Sequence, residues 1–527
     1  MKNIILCADG TGNQGGYTPD SNVFKLYNAI DLNSQHPEQI CFYDNGVGTQ
    51  SNKYVRGLSG ALGFGYKRNV RDVYEYLARH YDPDDNVYLF GFSRGAGEIR
   101  AVNGFIDACG LIDGRGKGDK QLKDEVKKAM KVYARPHKRE ALLGDVKIHA
   151  APPAIAFIGV WDTVSALGFP ERTDIKGIGL RILSWLLKQF GKLANLLIPH
   201  KFYNYKLTPN VTKARHALSL DDERTAFWPL VWDEDTDESK PVDVQQVWFA
   251  GMHSNVGGGY RRSGLSNAAY LWMLENIRGL VFKKDTLRDA EDDANVNGRI
   301  YDSRLGFAIY YRYHPREISK LCKEANTEVK VHESVLRRLK FRTANYAPKL
   351  LPESFSVMDN RGNTAPSPPV HGEHWALFQK GIKRWIAFRK WLYGILLELT
   401  LGVLFVTNYL WSRAEGQLDI TVETNHVADF LYYVTPEFFE QLIFITVVRD
   451  PAWILGAAIV LSLFIAVRMI ALRKTTRYAE RLRKLIIRSP LAHPDYPASA
   501  SPDGATALNV DQAESPPTID APQEEKL

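Results

Sequence analysis

The stretch NVYLFGFSRGAGEIRA (86–101) constrains the fold more than any other part of the chain. A short apolar run meets a serine flanked by small residues, and a helix-compatible segment follows at once. Strand, sharp turn and helix is the layout of a nucleophile elbow, in which the serine is held at a strained backbone position. That strain explains the residue types around it. Side chains at Gly91 and Gly95 would collide with the strand and helix that meet at the turn, so both positions are bare. Such a turn lifts the Ser93 hydroxyl above the sheet edge. It also places the Arg94 amide at a helix N-terminus, where a developing oxyanion is stabilised.

The rest of the chain supplies strands for this turn to stand on. NIILCA (3–8) reads as a buried strand ending in DGTGN (9–13), and 39–43 reads as a second, ending in DNGVGT (44–49). Residues 66–80 have the spacing of an amphipathic helix. AIAFIGV (154–160) is a continuous apolar run closing on WDT (161–163), and VQQVWFA (244–250) is another, closing on GMHSNVGGGY (251–260). Strands alternating with helical segments predict an α/β fold: a mostly parallel, α/β-hydrolase-like sheet with flanking helices. Polar residues after each strand place the site beyond the carboxyl ends of the sheet.

A serine nucleophile needs a base and an orienting acid, which in this architecture come in the chain order Ser, Asp or Glu, His. Asp162 and His253 satisfy that order, each at the end of a strand. Of the 13 histidines, His253 is the only one set directly after a convincing strand in a glycine-rich loop. The second oxyanion donor is expected from the loop after the first strand, at Gly10 or Thr11, with Asp9 fixing that turn. A hydrolase of this kind requires no cofactor. A competing reading gathers Asp9, Asp44 and Asp162 into an oxygen-rich site for a divalent cation, as metallophosphatases use. It leaves the elbow without a purpose. A catalytically silent membrane adaptor is the third class.

The chain has 527 residues, 45% of them hydrophobic and 24% charged, with a net charge of +7. Its basic residues crowd into a few C-terminal stretches, which reads as membrane-flanking charge and not as a nucleic-acid surface. Four cysteines without metal-type spacing suit reduced thiols. No secretory signal peptide is expected at the start. Two strongly apolar segments, 391–411 and 451–472, have about the length of membrane-spanning helices, with Lys and Arg outside them and acidic residues between. They predict an enzyme tethered in the inner membrane with its catalytic domain on the cytoplasmic side. The expected organisation is a catalytic domain over 1–350 with a lid-like insertion at 171–206, a linker over 351–379, a membrane-associated helical region over 380–488 and a disordered tail over 489–527.

Six blocks sharpen this reading: ADGTGN (8–13), YDNGVGT (43–49), LFGFSRGA (89–96), GVWDTV (159–164), ALSLDDER (217–224) and WFAGMHSNVGGGY (248–260). Their order and spacing resemble an α/β-hydrolase domain family that includes the phospholipase effectors of type VI secretion systems. The similarity covers about residues 1–276, with YDSRLGFAIYYRYHPR (301–316) and VHESVLRR (331–338) as further blocks. By that resemblance Ser93, Asp162 and His253 match the nucleophile, acid and base. The implied activity is hydrolysis of phospholipid acyl esters at a bilayer. Relatives often carry Asp two residues after the histidine where this chain has Asn255, a position expected to shape the loop. The apolar C-terminal segments lie outside the family core, so secretion as an effector does not follow from the match.

Overall fold

The computed structural model describes residues 1–46, 65–165, 203–234, 242–366, 373–414 and 452–487. Its strands are β1 (Asn3–Ala8), β2 (Gln39–Asp44), β3 (Asn86–Phe92), β4 (Ile155–Trp161), β5 (Lys213–Ser219), β6 (Asp243–Phe249), β7 (Lys330–His332), β8 (Ser356–Met358) and β9 (Thr364–Pro366). They form one sheet in the order β2-β1-β3-β4-β5-β6-β7-β8-β9. Every pairing is parallel except the last, β8 with β9. The fold is thus the expected mostly parallel α/β sheet.

Strand periodicity divides the core. Ile4, Leu6 and Ala8 of β1 face one layer, while Ile5 and Cys7 face the other. Helix α1 (Asn22–Ala29) packs on the second layer, while α2 (Tyr66–His80), α3 (Ser93–Cys109) and α4 (Asp119–Ala134) cover the first and supply its buried apolar residues. On the second layer lies also the buried helix Gly264–Asn276. The four cysteines are free thiols. The chain runs from β1 to β2 on one side, then to β3 and β4 on the other. The switch point between β1 and β3 therefore opens a crevice at their carboxyl ends, and both the Asp9–Asn13 turn and Ser93 lie there.

β5 was not foreseen. Its sequence KARHALS carries Lys213, Arg215 and His216, which breaks the apolar run expected of a central strand. The structure accommodates them by pairing: buried Arg215 bonds Asn276 and Asp243, and His216 lies between Thr163 and Gln246. The stretch 351–379, expected as a linker, contributes β8 and β9 to the sheet edge. The lid-like insertion (171–206, apart from its final residues), the loop between the apolar segments and the tail from 489 lie outside the described residues.

The apolar segment 391–411 and the described part of 451–472 fall within two long helices, Glu373–Ala414 and Ala452–Ile487. Among the described residues, no helix is long and apolar enough to cross a membrane. This overturns the expected pair of spanning helices, and with it the inner-membrane location inferred from them. The apolar character of both helices is partly taken up by protein. Trp375, Ile382 and Ile386 of the first join Ala479, Leu482 and Ile486 of the second in a third core with Val331, Val335 and Val357. Arg468 lies against Asp302 at 3.5 Å, and Thr400 against Tyr310 at 3.2 Å.

Candidate active site

The turn from β3 into α3 behaves as its glycines require. A Cβ on Gly91 would come within 2.6 Å of the Ala96 Cα, and one on Gly95 would strike the carbonyls of Ala8 and Asp9. Ser93 has φ +59°, in the left-handed region. Its side chain is buried, and Oγ lies 2.7 Å from Nε2 of His253.

His253 opens the short helix His253–Gly257 after β6, where the glycine-rich segment turns back over the sheet. Its Nδ1 lies 2.5 Å from Oδ2 of Asp162. Asp162 follows β4 directly, also at positive φ (+44°), and is fully buried. The three residues singled out along the sequence therefore form one connected chain of contacts. The rings of Phe92 and Phe227 pack against the imidazole at centroid distances of 4.7 and 5.0 Å and give the site apolar walls.

Three residues that sequence reasoning gave no role complete the arrangement. Arg316 grips both oxygens of Asp162, with Nη1 2.6 Å from Oδ1 and Nη2 2.7 Å from Oδ2. Asp222 accepts the His253 backbone N–H at 3.2 Å and pairs with Arg224 at 2.7 Å. The Arg224 guanidinium lies 3.5 Å over the Phe227 ring. Arg316 closes one of the blocks of family resemblance and Asp222 and Arg224 lie in another, which was the available signal. Asn255 shapes the loop: it accepts from Met252 N and donates to the Arg299 carbonyl, both at 3.1 Å.

Electrostatics follow from burial and these partners. Burial by itself would raise the Asp162 carboxyl, but the Arg316 guanidinium, aided by His253, holds it well below the usual carboxylate range. Burial lowers His253 below the ordinary imidazole value against the pull of Asp162. The imidazole is thus neutral near neutral pH, with Nδ1–H donating to Asp162 and Nε2 free to accept from Ser93. His216, whose Nε2 accepts from Thr163 N at 3.2 Å, is lowered to about 3, chiefly by burial and then by Arg100.

The expected oxyanion donors lie at two sides of the serine. Arg94 is the second residue of α3, so its amide is among those with no intrahelical acceptor. The loop after β1 is close by, since a Cβ on Gly10 would stand 3.1 Å from the Ser93 Cβ. The Gly10 amide itself donates to Asp9 Oδ1 at 2.6 Å. Among the described residues no acceptor takes the Thr11 amide, and the buried Thr11 hydroxyl also has no partner.

The carboxylates of the competing cation reading are not gathered together. Asp9 takes hydrogen bonds from Gly10, Asn13, Ser21 and Tyr43, which makes it the fixing point of its turn. Asp162 is occupied by Arg316 and His253. Asp44, at the end of β2, is pushed up to about 7 by burial and then by Asp72. Among the described residues no group of three or more His, Cys, Asp or Glu side chains is placed to hold a metal ion.

Comparison with known proteins adds the family. Residues 2–276 match the catalytic domain of the type VI secretion system (T6SS) phospholipase effectors of Tle1-like type, which makes this a hydrolase domain of the phospholipase class. An uncharacterized protein of Saccharomyces cerevisiae, YEL023C, is 35% identical over 242 residues, which cover 44% of this chain and 32% of the yeast protein. Two solved structures are similar at 16% identity. One is an uncharacterized protein from Pseudomonas aeruginosa, with a TM-score of 0.34 over 75% of this chain and 59% of that one. The other is the Tle1 effector bound to the VgrG spike of the type VI secretion system, with a TM-score of 0.25 over 49% and 51%. The match thus spans about a third of the yeast relative and little more than half of each solved chain. Since the matching region makes up more than half of its length, the chain belongs to the Tle1-like family of type VI secretion phospholipase effectors.

Proposed function

We propose that this protein is a serine hydrolase that cleaves phospholipid acyl esters in a bilayer, a phospholipase A-type reaction, through an acyl-enzyme on Ser93. The observation that carries this reading is the continuous path from the Ser93 hydroxyl to His253 at 2.7 Å and from His253 to Asp162 at 2.5 Å. Family membership supports the lipid substrate. Ser93 Oγ attacks the ester carbonyl while Nε2 of His253 takes its proton. Asp162 faces the imidazolium that forms and holds its ring orientation. The amides of Arg94 and of the loop after β1 receive the oxyanion, with Thr11 favoured over Gly10 because the Gly10 amide is already engaged. Collapse expels the lysolipid alkoxide, which takes the proton back from His253. Water, deprotonated by the same imidazole, then releases the fatty acid.

The test uses the full chain and its Ser93→Ala variant, with fluorophosphonate labelling and fatty-acid release from phospholipid vesicles. The native protein should be labelled and should release fatty acid. Ser93→Ala should lose labelling and at least about 10⁴-fold in turnover. Equal behaviour of the two proteins would sink the proposal.

A further inference from the structure

Asp162 is held by more than its imidazole partner. Ser219 N donates to Oδ1 at 2.9 Å, and the Arg316 fork covers both oxygens. Oδ2 is shared: Arg316 Nη2 and His253 Nδ1 meet it at 2.7 and 2.5 Å. A buried carboxylate needs only neutral hydrogen-bond donors to stay ionised, yet this one faces a full guanidinium with no exposure to solvent. The fork cannot turn away, because Nη1 also donates to the Ser219 carbonyl at 2.6 Å and Nη2 to the Phe227 carbonyl.

We infer that Arg316 is a positioning residue of the triad, keeping the Asp162 carboxylate ionised and aimed at His253 and thereby extending activity toward acid pH. The inference rests on the serine-hydrolase reading and adds a residue to it. A buried ion pair that serves packing alone gains little over apolar residues of the same volume. This pair acts on the oxygen that the imidazole uses, so its charge is felt at the base.

Among the described residues, Arg316 is the permanently charged group paired with Asp162. Asp222 and Arg224, on the loop after β5, form a pair of their own beside the His253 backbone. His216 on β5 is neutral at working pH. Arg94 follows the nucleophile on α3 and is lowered by burial, opposed by Glu98 and Tyr311. Without the Arg316 charge, protons bind more tightly either to His253, which then faces an unscreened carboxylate, or to Asp162, which burial alone would raise. Both routes silence the base at a higher pH.

The experiment follows fluorophosphonate labelling rates from pH 4 to 8 on the full chain, with Arg316→Gln and Arg316→Lys as variants. For Arg316→Gln the acid limb should move up by about one pH unit or more. Arg316→Lys keeps a cation and loses the planar fork, so its limb should stay near the native position while its rate at pH 8 falls about tenfold. A limb for Arg316→Gln that coincides with the native one, even with a lowered rate or melting temperature, makes the residue merely structural and overturns the inference. Should Arg316→Gln not fold, Arg316→Lys decides: native limb and native rate together also overturn it. If the native protein is not labelled at all, or Ser93→Ala is labelled equally, the failure belongs to the serine-hydrolase reading instead.

Discussion

Ser93 and Asp162 both occupy left-handed backbone conformations, φ +59° and +44°, that non-glycine residues pay to adopt. Each is held there from outside. The Ser93 carbonyl accepts from Val164 N at 3.1 Å, and Asp162 N donates to the Ala217 carbonyl at 2.8 Å. Conformational strain of this kind costs about 1–3 kcal/mol per residue. A Ser93→Gly variant should therefore be more stable than Ser93→Ala by about 1 kcal/mol, with both inactive, because only glycine relaxes at positive φ. Urea unfolding of the two variants checks this, and equal stabilities would place the strain elsewhere. The three residues of the path were legible because each ends an apolar strand that stands out from its surroundings. Arg316 was not. It lies in a polar segment without periodicity, and its partner is 154 residues away. Its one signal in the sequence is that it closes the block 301–316 of family resemblance, which names no role for it.

Elements were legible in proportion to how well their burial matches their composition. β1, β3, β4 and β6 carry apolar runs and were placed to within a residue or two. β5 was missed because its polar residues are compensated across the sheet and not along the chain. His216 on β5 and His332 at the end of β7 are both fully buried and lowered to about 3, chiefly by burial. In the unfolded chain both titrate at the ordinary imidazole value, near 6.5. Below that value the unfolded state binds protons that the folded state refuses, so their effect is to remove stability as pH falls from 6.5 toward 3, with none above. Each contributes about 1.4 kcal/mol per pH unit. Between pH 7 and 5, His216→Gln should lose about 2 kcal/mol less stability than the native chain in urea unfolding. An identical pH slope would mean that His216 is protonated in the fold. At the elbow, Gly95→Ala should cost at least about 2 kcal/mol and abolish labelling, since the added methyl meets backbone carbonyls that cannot move aside.

At the scale of the molecule, the run DDER (221–224) joins parts that the sequence reading kept separate. Asp221 accepts from Gly251 N at 2.7 Å and from the Tyr346 hydroxyl at 2.9 Å. Asp222 holds the His253 amide. Glu223 reaches the long helix Glu373–Ala414, where Arg389 meets its two oxygens at 3.0 and 2.9 Å, and Lys349 adds a further contact. Burial would raise the Glu223 carboxyl, but Arg389 and Lys349 hold it well below its usual range. Arg389 also lies 4.1 Å over the Tyr313 ring, in the segment that leads to Arg316. The helix is therefore coupled to the loop that carries the base. Removing one partner of a buried pair costs about 3 kcal/mol or more, because the other charge is stranded; Lys349 softens that for Glu223. Arg389→Met should then destabilise the chain by about 2–3 kcal/mol. The double variant Glu223→Gln/Arg389→Met should be less destabilised than the sum of its single changes by about 1 kcal/mol or more. The same variants should slow labelling of Ser93, since Glu223 adjoins the residue that anchors His253. Single and double effects that simply add, with labelling unchanged, would mean that the helix docks on the catalytic domain without bearing on its site.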